Sequence, residues 1–88
     1  MSMKNEQTWF VYILRCADST LYTGITTDTT RRVQEHNAGA PLGARYTRSR
    51  RPVALIHVES VSSRALATQR ELATKKLDRR RKLALCAE

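Results

Sequence analysis

VYILRCADSTLYTGITTDTTRRVQEH, residues 11–36, carries the pattern on which the fold turns. Trp9 to Cys16 and Thr20 to Thr26 are rich in aromatic and β-branched residues and read as strands. Between them Ala17-Asp18-Ser19 has the chemistry of a turn, so the two strands form a hairpin. Strand side chains alternate faces, so loop length decides whether Tyr12 and Tyr22 share a side. A two- or four-residue loop would part them. A three-residue turn ending at positive φ, with a G1 bulge, puts both on one side. Ala17-Asp18-Ser19 fits that turn, although Ser19 is less comfortable there than Gly or Asn.

Working outward, Asp28, or Thr27 before it, caps a helix reaching Ala38, with Gly39 as its stop. Val33 and a few small residues give that helix a thin apolar stripe, so it must lean on the sheet. Gly39 to Pro52 reads as a basic loop. Val53 to Val61 is a third strand whose alternation is uneven, and Ser62 or Ser63 caps a helix through about Leu77. Asp78 caps a last short helix ending near Leu85. The order β-β-α-β-α-α implies a three-stranded antiparallel sheet flanked by helices, a small α+β domain. Residues 1–8 read as a flexible leader ahead of a single domain over 9–88.

The 88 residues carry a formal charge of +8. The positive charge is clustered, which argues for a polyanionic partner, nucleic acid ahead of an anionic membrane surface. Cys16 and Cys86 form no C-x-x-C pair and have no nearby His, so they read as reduced thiols in a cytoplasmic protein. The start of the chain lacks the apolar core of a signal peptide, and no apolar run approaches a membrane span.

Several side chains are candidates for chemistry. Tyr12 and Tyr22 are either half-buried sheet aromatics or paired phenols at a site. Gly24, inside a strand, marks a close approach, whether by a phosphate, by the first helix or as a packing notch. Arg31 and Arg32 point about 100° apart on the helix, so only one faces the sheet. Arg32 shares a stripe with His36, for which three roles stay open: bonding a phosphate, relaying a proton, or capping the helix end with Asn37. In the loop, Tyr46 stands among Arg45, Arg48, Arg50 and Arg51, a combination suited to stacking and phosphate neutralisation, or simply a solvated charge run. Glu71 shares a helix face with the small residues Ala67 and Thr74, and it also has an i,i+4 partner in Lys75. Arg79-Arg80-Arg81-Lys82 either extends the basic patch or keeps the terminus soluble.

The order Tyr12, Tyr22-x-Gly24, Arg32-x-x-x-His36 resembles the signature of the GIY-YIG nuclease superfamily. It is most similar to the small stand-alone bacterial branch, whose tripeptides read VYI and YTG. The resemblance covers Trp9 to Leu85. It implies that the sheet presents both tyrosines, that Arg32 sits in the active site, and that Tyr12, Tyr22, Arg32 and His36 form the catalytic set. Glu71, in a matching E-x-x-x-K-K-L stretch, would hold one divalent metal, Mg or Mn. Arg45-Tyr46-Thr47-Arg48 matches a basic K/R-Y-T-R loop that closes one side of the site. Arg31, Arg45, Tyr46, Arg48, Arg50, Arg51 and Lys75 would then contact nucleic acid, DNA ahead of RNA. The implied activity is a metal-dependent DNA endonuclease, with a place in genome maintenance or DNA repair.

Two other readings belong beside it. One is a non-catalytic nucleic-acid-binding module, favoured by VYI in place of GIY and by the lack of an attached DNA-recognition domain. The other is a structural basic protein whose tyrosines only pack, which predicts no convergence of Tyr12, Tyr22, Arg32 and Glu71.

Overall fold

β1 (Trp9–Arg15) and β2 (Leu21–Thr26) form the expected hairpin in a computed structural model that describes residues 7–87. Ser19 sits at φ 69°, and the Cys16 N–H donates to the Thr20 carbonyl at 2.9 Å to close the turn. The Asp18 carboxylate accepts from the Thr20 N–H and hydroxyl, which offsets the discomfort of a non-glycine residue beside it in the left-handed region. Gly24 is consequently paired with Tyr12, and Tyr22 with Leu14. Both phenols lie on one face.

The remaining elements are α1 (Thr29–Ala38), α2 (Arg45–Arg48), β3 (Ala54–Val61), α3 (Arg64–Lys75) and α4 (Arg79–Cys86). The sheet order is β2-β1-β3, antiparallel throughout, which puts β1 in the centre and explains why it is apolar on both faces. Ile13 pairs with His57 but Leu14 with Leu55, so Ile56 is an extra residue in the ladder. That bulge is the reason the β3 alternation reads unevenly. Asp28, Ser63 and Asp78 cap α1, α3 and α4 by accepting from the N–H groups of Arg31, Leu66 and Arg81.

The core holds Val11, Tyr12, Ile13, Leu14, Cys16, Val53 and Ala67. α1 and α2 lie over the Tyr12 and Leu14 side, where Val33 packs against the core. α3 lies over the opposite side, where Arg64 covers the Trp9 ring and Arg70 reaches Glu59. Its buried residues are Ala67 and Thr74, while Leu66 and Leu72 face solvent. Small residues toward the sheet bring this helix close. Among the described residues no helix is long and apolar enough to cross a membrane.

The segment from Gly39 to Pro52 is more ordered than a plain loop. It contains the one-turn helix α2, and Thr47 within it is completely buried. Three of its arginines brace the segment and its neighbours. Arg48 donates to the carbonyls of Gly43 and Pro41, Arg51 to those of Arg48 and Asn37, and Arg50 to that of Tyr46. Arg79 donates to the Ser19 carbonyl and ties α4 to the hairpin turn, so that member of the terminal basic run is structural. Residues 1–6 of the leader lie outside the described residues.

Candidate active site

Tyr12 comes from the central strand, Tyr22 from the edge strand, and both rings lean toward α1. Their centroids are 6.4 Å apart, with His36 6.0 Å from Tyr12 and 5.2 Å from Tyr22. Tyr12 is 1% exposed and crosses the backbone of its partner Gly24. A Cβ at Gly24 would lie 2.5 Å from the Tyr12 hydroxyl oxygen and 2.7 Å from Cζ. The glycine is therefore a notch for this ring. Of the approaches left open by the sequence, packing is the one the fold uses, and its beneficiary is a candidate catalytic phenol.

The Tyr12 hydroxyl lies 2.9 Å from His36 Nε2, and His36 Nδ1 lies 2.8 Å from Thr47 Oγ1. His36 is fully buried, so direct bonding to a phosphate and capping of the helix end both give way to linking Tyr12 with α2. Asn37, not His36, anchors the end of α1, bonding the Val53 N–H and carbonyl through its side chain. Burial holds the imidazole neutral, its pKa lowered to about 4, with the nearby Arg32 charge adding to the effect. Burial likewise pushes the Tyr12 phenol up to about 12, helped by Tyr22 beside it and opposed by Arg32.

Arg32 is the helix arginine turned toward the site. Its Nη1 donates to Glu35 Oε1 at 2.8 Å and to the Leu42 carbonyl at 2.7 Å, which fixes the guanidinium at the Tyr12 side. Arg31 is directed away, donates to Thr26 and pairs with Glu35 at the surface. Glu71 enters from α3, the other layer. Its side chain is 18% exposed and pairs with the more exposed Lys75 at 3.1 Å. The carboxylate is close enough to act electrostatically on the Tyr12 hydroxyl. Tyr12, Tyr22, Arg32 and Glu71 thus share one neighbourhood drawn from β1, β2, α1 and α3.

Tyr46 extends the aromatic group outward. Its ring stacks on Tyr22, with centroids 5.8 Å apart, and the Arg50 guanidinium lies 4.0 Å over it. Arg50 is held there by Asp18 across the hairpin at 3.0 Å. Arg45 is exposed, while the guanidinium groups of Arg48, Arg50 and Arg51 are partly committed to the carbonyls named above.

Sequence reasoning missed Thr47 and Glu35 as parts of this assembly. The Arg32–Glu35 clamp has a visible signal in its i,i+3 spacing. Thr47 has none, because its contact with His36 depends on how the segment after α1 folds back.

The donor set bears on which metal the site can hold. Among the described residues no group of three or more His, Cys, Asp or Glu side chains gathers around one point. A half-buried single carboxylate fits an ion that keeps most of its waters, such as Mg²⁺, and does not fit a zinc site with several protein ligands.

The GIY-YIG catalytic domain model matches residues 8–84 of this chain. A UPF0213 protein of Desulfotalea psychrophila is 58% identical over 77 residues, covering 88% of this chain and 69% of that protein. A UPF0213 protein of Natronomonas pharaonis is 53% identical over 79 residues, covering 90% and 91%. Among solved structures, the solution structure of the UPF0213 protein BH0048 from Bacillus halodurans is 41% identical with a TM-score of 0.58, covering 92% of this chain and 84% of that one.

Proposed function

Because this chain belongs to the GIY-YIG family, together with its UPF0213 relatives, and so has a nuclease fold, we propose that it is a metal-dependent endonuclease hydrolysing DNA phosphodiester bonds. The observation that carries this reading is the meeting of Tyr12, Tyr22, Arg32 and Glu71, four residues from four elements, in one neighbourhood. A protein whose tyrosines merely pack has no need of a guanidinium and a carboxylate beside them.

In this scheme Arg32 grips two non-bridging oxygens of the scissile phosphate and stabilises the charge that builds in the pentacoordinate state. Glu35 and the Leu42 carbonyl hold its guanidinium in position beforehand, which lowers the reorganisation needed during reaction. Burial keeps Tyr12 an un-ionised phenol at neutral pH without the metal. Tyr12 or Tyr22 therefore orients the attacking water, and a base role for either needs the metal or Arg32 to lower its pKa. Glu71 would hold one Mg²⁺ or Mn²⁺, which would supply Lewis-acid stabilisation of charge on the phosphate. His36 acts through Tyr12 and not on the substrate. The exposed arginines, with Arg31 and Lys75, would contribute phosphate contacts that are lost as salt rises. Action on DNA rather than RNA, a cytoplasmic location and a role in genome maintenance or repair belong to the same proposal.

The test is nicking and cleavage of several DNA forms with Mg²⁺, Mn²⁺ or chelator. Glu71→Ala and Arg32→Ala should each abolish metal-dependent cleavage while binding in a gel-shift assay persists. Cleavage retained in both variants would overturn the assignment. Binding without cleavage by the wild-type protein on every DNA form would favour the non-catalytic module.

A further inference from the structure

The hydroxyl of Thr47 decides the direction of a buried chain of hydrogen bonds that ends on Tyr12. Thr47 Oγ1 lies 3.0 Å from the Ala44 carbonyl oxygen, which has only lone pairs to offer. That carbonyl also accepts from the Thr47 N–H at 3.1 Å, and in the arrangement inferred below its second lone pair takes the Thr47 hydroxyl proton. Having spent it, Oγ1 can only accept from His36 Nδ1, 2.8 Å away. A neutral imidazole with its proton on Nδ1 has a bare Nε2, and the Tyr12 hydroxyl 2.9 Å from it must be the donor. All three side chains are fully or almost fully buried, so bulk solvent does not compete for the bonds between them.

We propose that Thr47 is a positioning residue that locks His36 in the Nδ1–H tautomer and thereby commits the Tyr12 proton to the protein interior. The Tyr12 oxygen then presents only lone pairs toward Arg32 and the site. It serves as a fixed acceptor for a water or a guanidinium N–H and never as a competing donor. This rests on the reading of Tyr12 as part of the active site, and it gives the one-turn helix α2 a function. The same turn that stacks Tyr46 on Tyr22 also sets the polarity of the Tyr12 hydroxyl.

The wild-type protein with ¹⁵N-labelled imidazoles tests the idea directly, since the chain has two histidines and their signals are separable. His36 should show a protonated Nδ1 and an unprotonated Nε2 at neutral pH. Thr47→Val keeps the shape and removes the acceptor, so the ring should lose that single tautomer. Thr47→Ser should restore it. In cleavage assays Thr47→Val should lower kcat by up to about 100-fold with KM little changed, and Thr47→Ser should recover most of the loss. A proton on Nε2 in the wild type, or an unchanged Nδ1–H ring in Thr47→Val, overturns the inference. Should Thr47→Val fail to fold, the wild-type and Thr47→Ser rings decide it. If the wild-type protein cleaves no DNA, the proposed function fails while the ring assignment still stands or falls on the spectra.

Discussion

Two polar clusters occupy opposite sides of the same sheet and behave in opposite ways. Tyr12, His36 and Thr47 lie under α1 and α2, almost wholly shielded from water. His57, Glu59 and Arg70 lie beside α3, with side chains 16%, 27% and 37% exposed. In the first cluster burial drives each titratable group toward its neutral form, raising the Tyr12 phenol to about 12 and lowering His36 to about 4. In the second, two hydrogen bonds from Arg70 at 2.7 and 3.1 Å dominate and hold Glu59 ionised, its pKa lowered to about 2. The lesson concerns water access and partner type. In the sealed cluster burial outweighs the Arg32 guanidinium and Tyr12 sheds charge, whereas partly exposed Glu59, bonded by Arg70 and His57, keeps it.

Crowding the sealed cluster should give the largest effect. Gly24→Ala places a methyl group 2.5 Å from the hydroxyl oxygen and 2.7 Å from Cζ of the buried Tyr12 ring, which must shift to admit it. It should cost about 3 kcal/mol, read as a lower urea midpoint at unchanged slope, together with lost cleavage. An unchanged midpoint would mean that the Tyr12 ring does not lie across the strand as described.

Titration separates the two clusters next. The folded pKa of His36 lies below its ordinary 6.5, so in the acid range the unfolded chain binds a proton that the native state refuses. Its contribution is present above pH 6.5 and is lost as pH falls toward 4, with a slope of about 1 kcal/mol per pH unit. Urea midpoints measured across that window should flatten in His36→Gln. On the alkaline side the raised Tyr12 pKa gives stability that is present below pH 10 and lost as pH rises toward 12. Tyr12→Phe should remove that loss.

The open cluster should yield the smallest change. Glu59→Gln should cost about 1 kcal/mol or less at pH 7, because a partly exposed ion pair contributes modestly. Glu59 has a depressed pKa, so its contribution is present above pH 4.5 and disappears as pH falls toward 2. Wild type and Glu59→Gln should therefore converge in stability at the acid end. A difference persisting at pH 2 would show that packing, not charge, explains the effect.

Much of the scaffold was legible because the signals are local. The Ala17-Asp18-Ser19 turn fixes the hairpin register, and that register alone puts Tyr12 and Tyr22 on one side. Asp28, Ser63 and Asp78 announce the starts of three helices by side chains that reach only three residues ahead. Helical angle shows that only one of Arg31 and Arg32 can face the sheet, while the family resemblance selects Arg32 and favours Glu71 as a ligand over a surface pair with Lys75. The basic segment was not legible. Its arginines look solvated in sequence, yet several bond carbonyls from five to fourteen residues away, and such pairings have no periodic signature.

The sequence by itself determined the hairpin, the helix caps and that only one of Arg31 and Arg32 can face the sheet, because these follow from periodicity and short-range hydrogen bonding. Only the tertiary structure decided that His36 is sealed and neutral, that Gly24 makes room for a ring, and that Thr47 orients the chain of hydrogen bonds. Those properties depend on which surfaces exclude water together, and that depends on segments meeting across the fold.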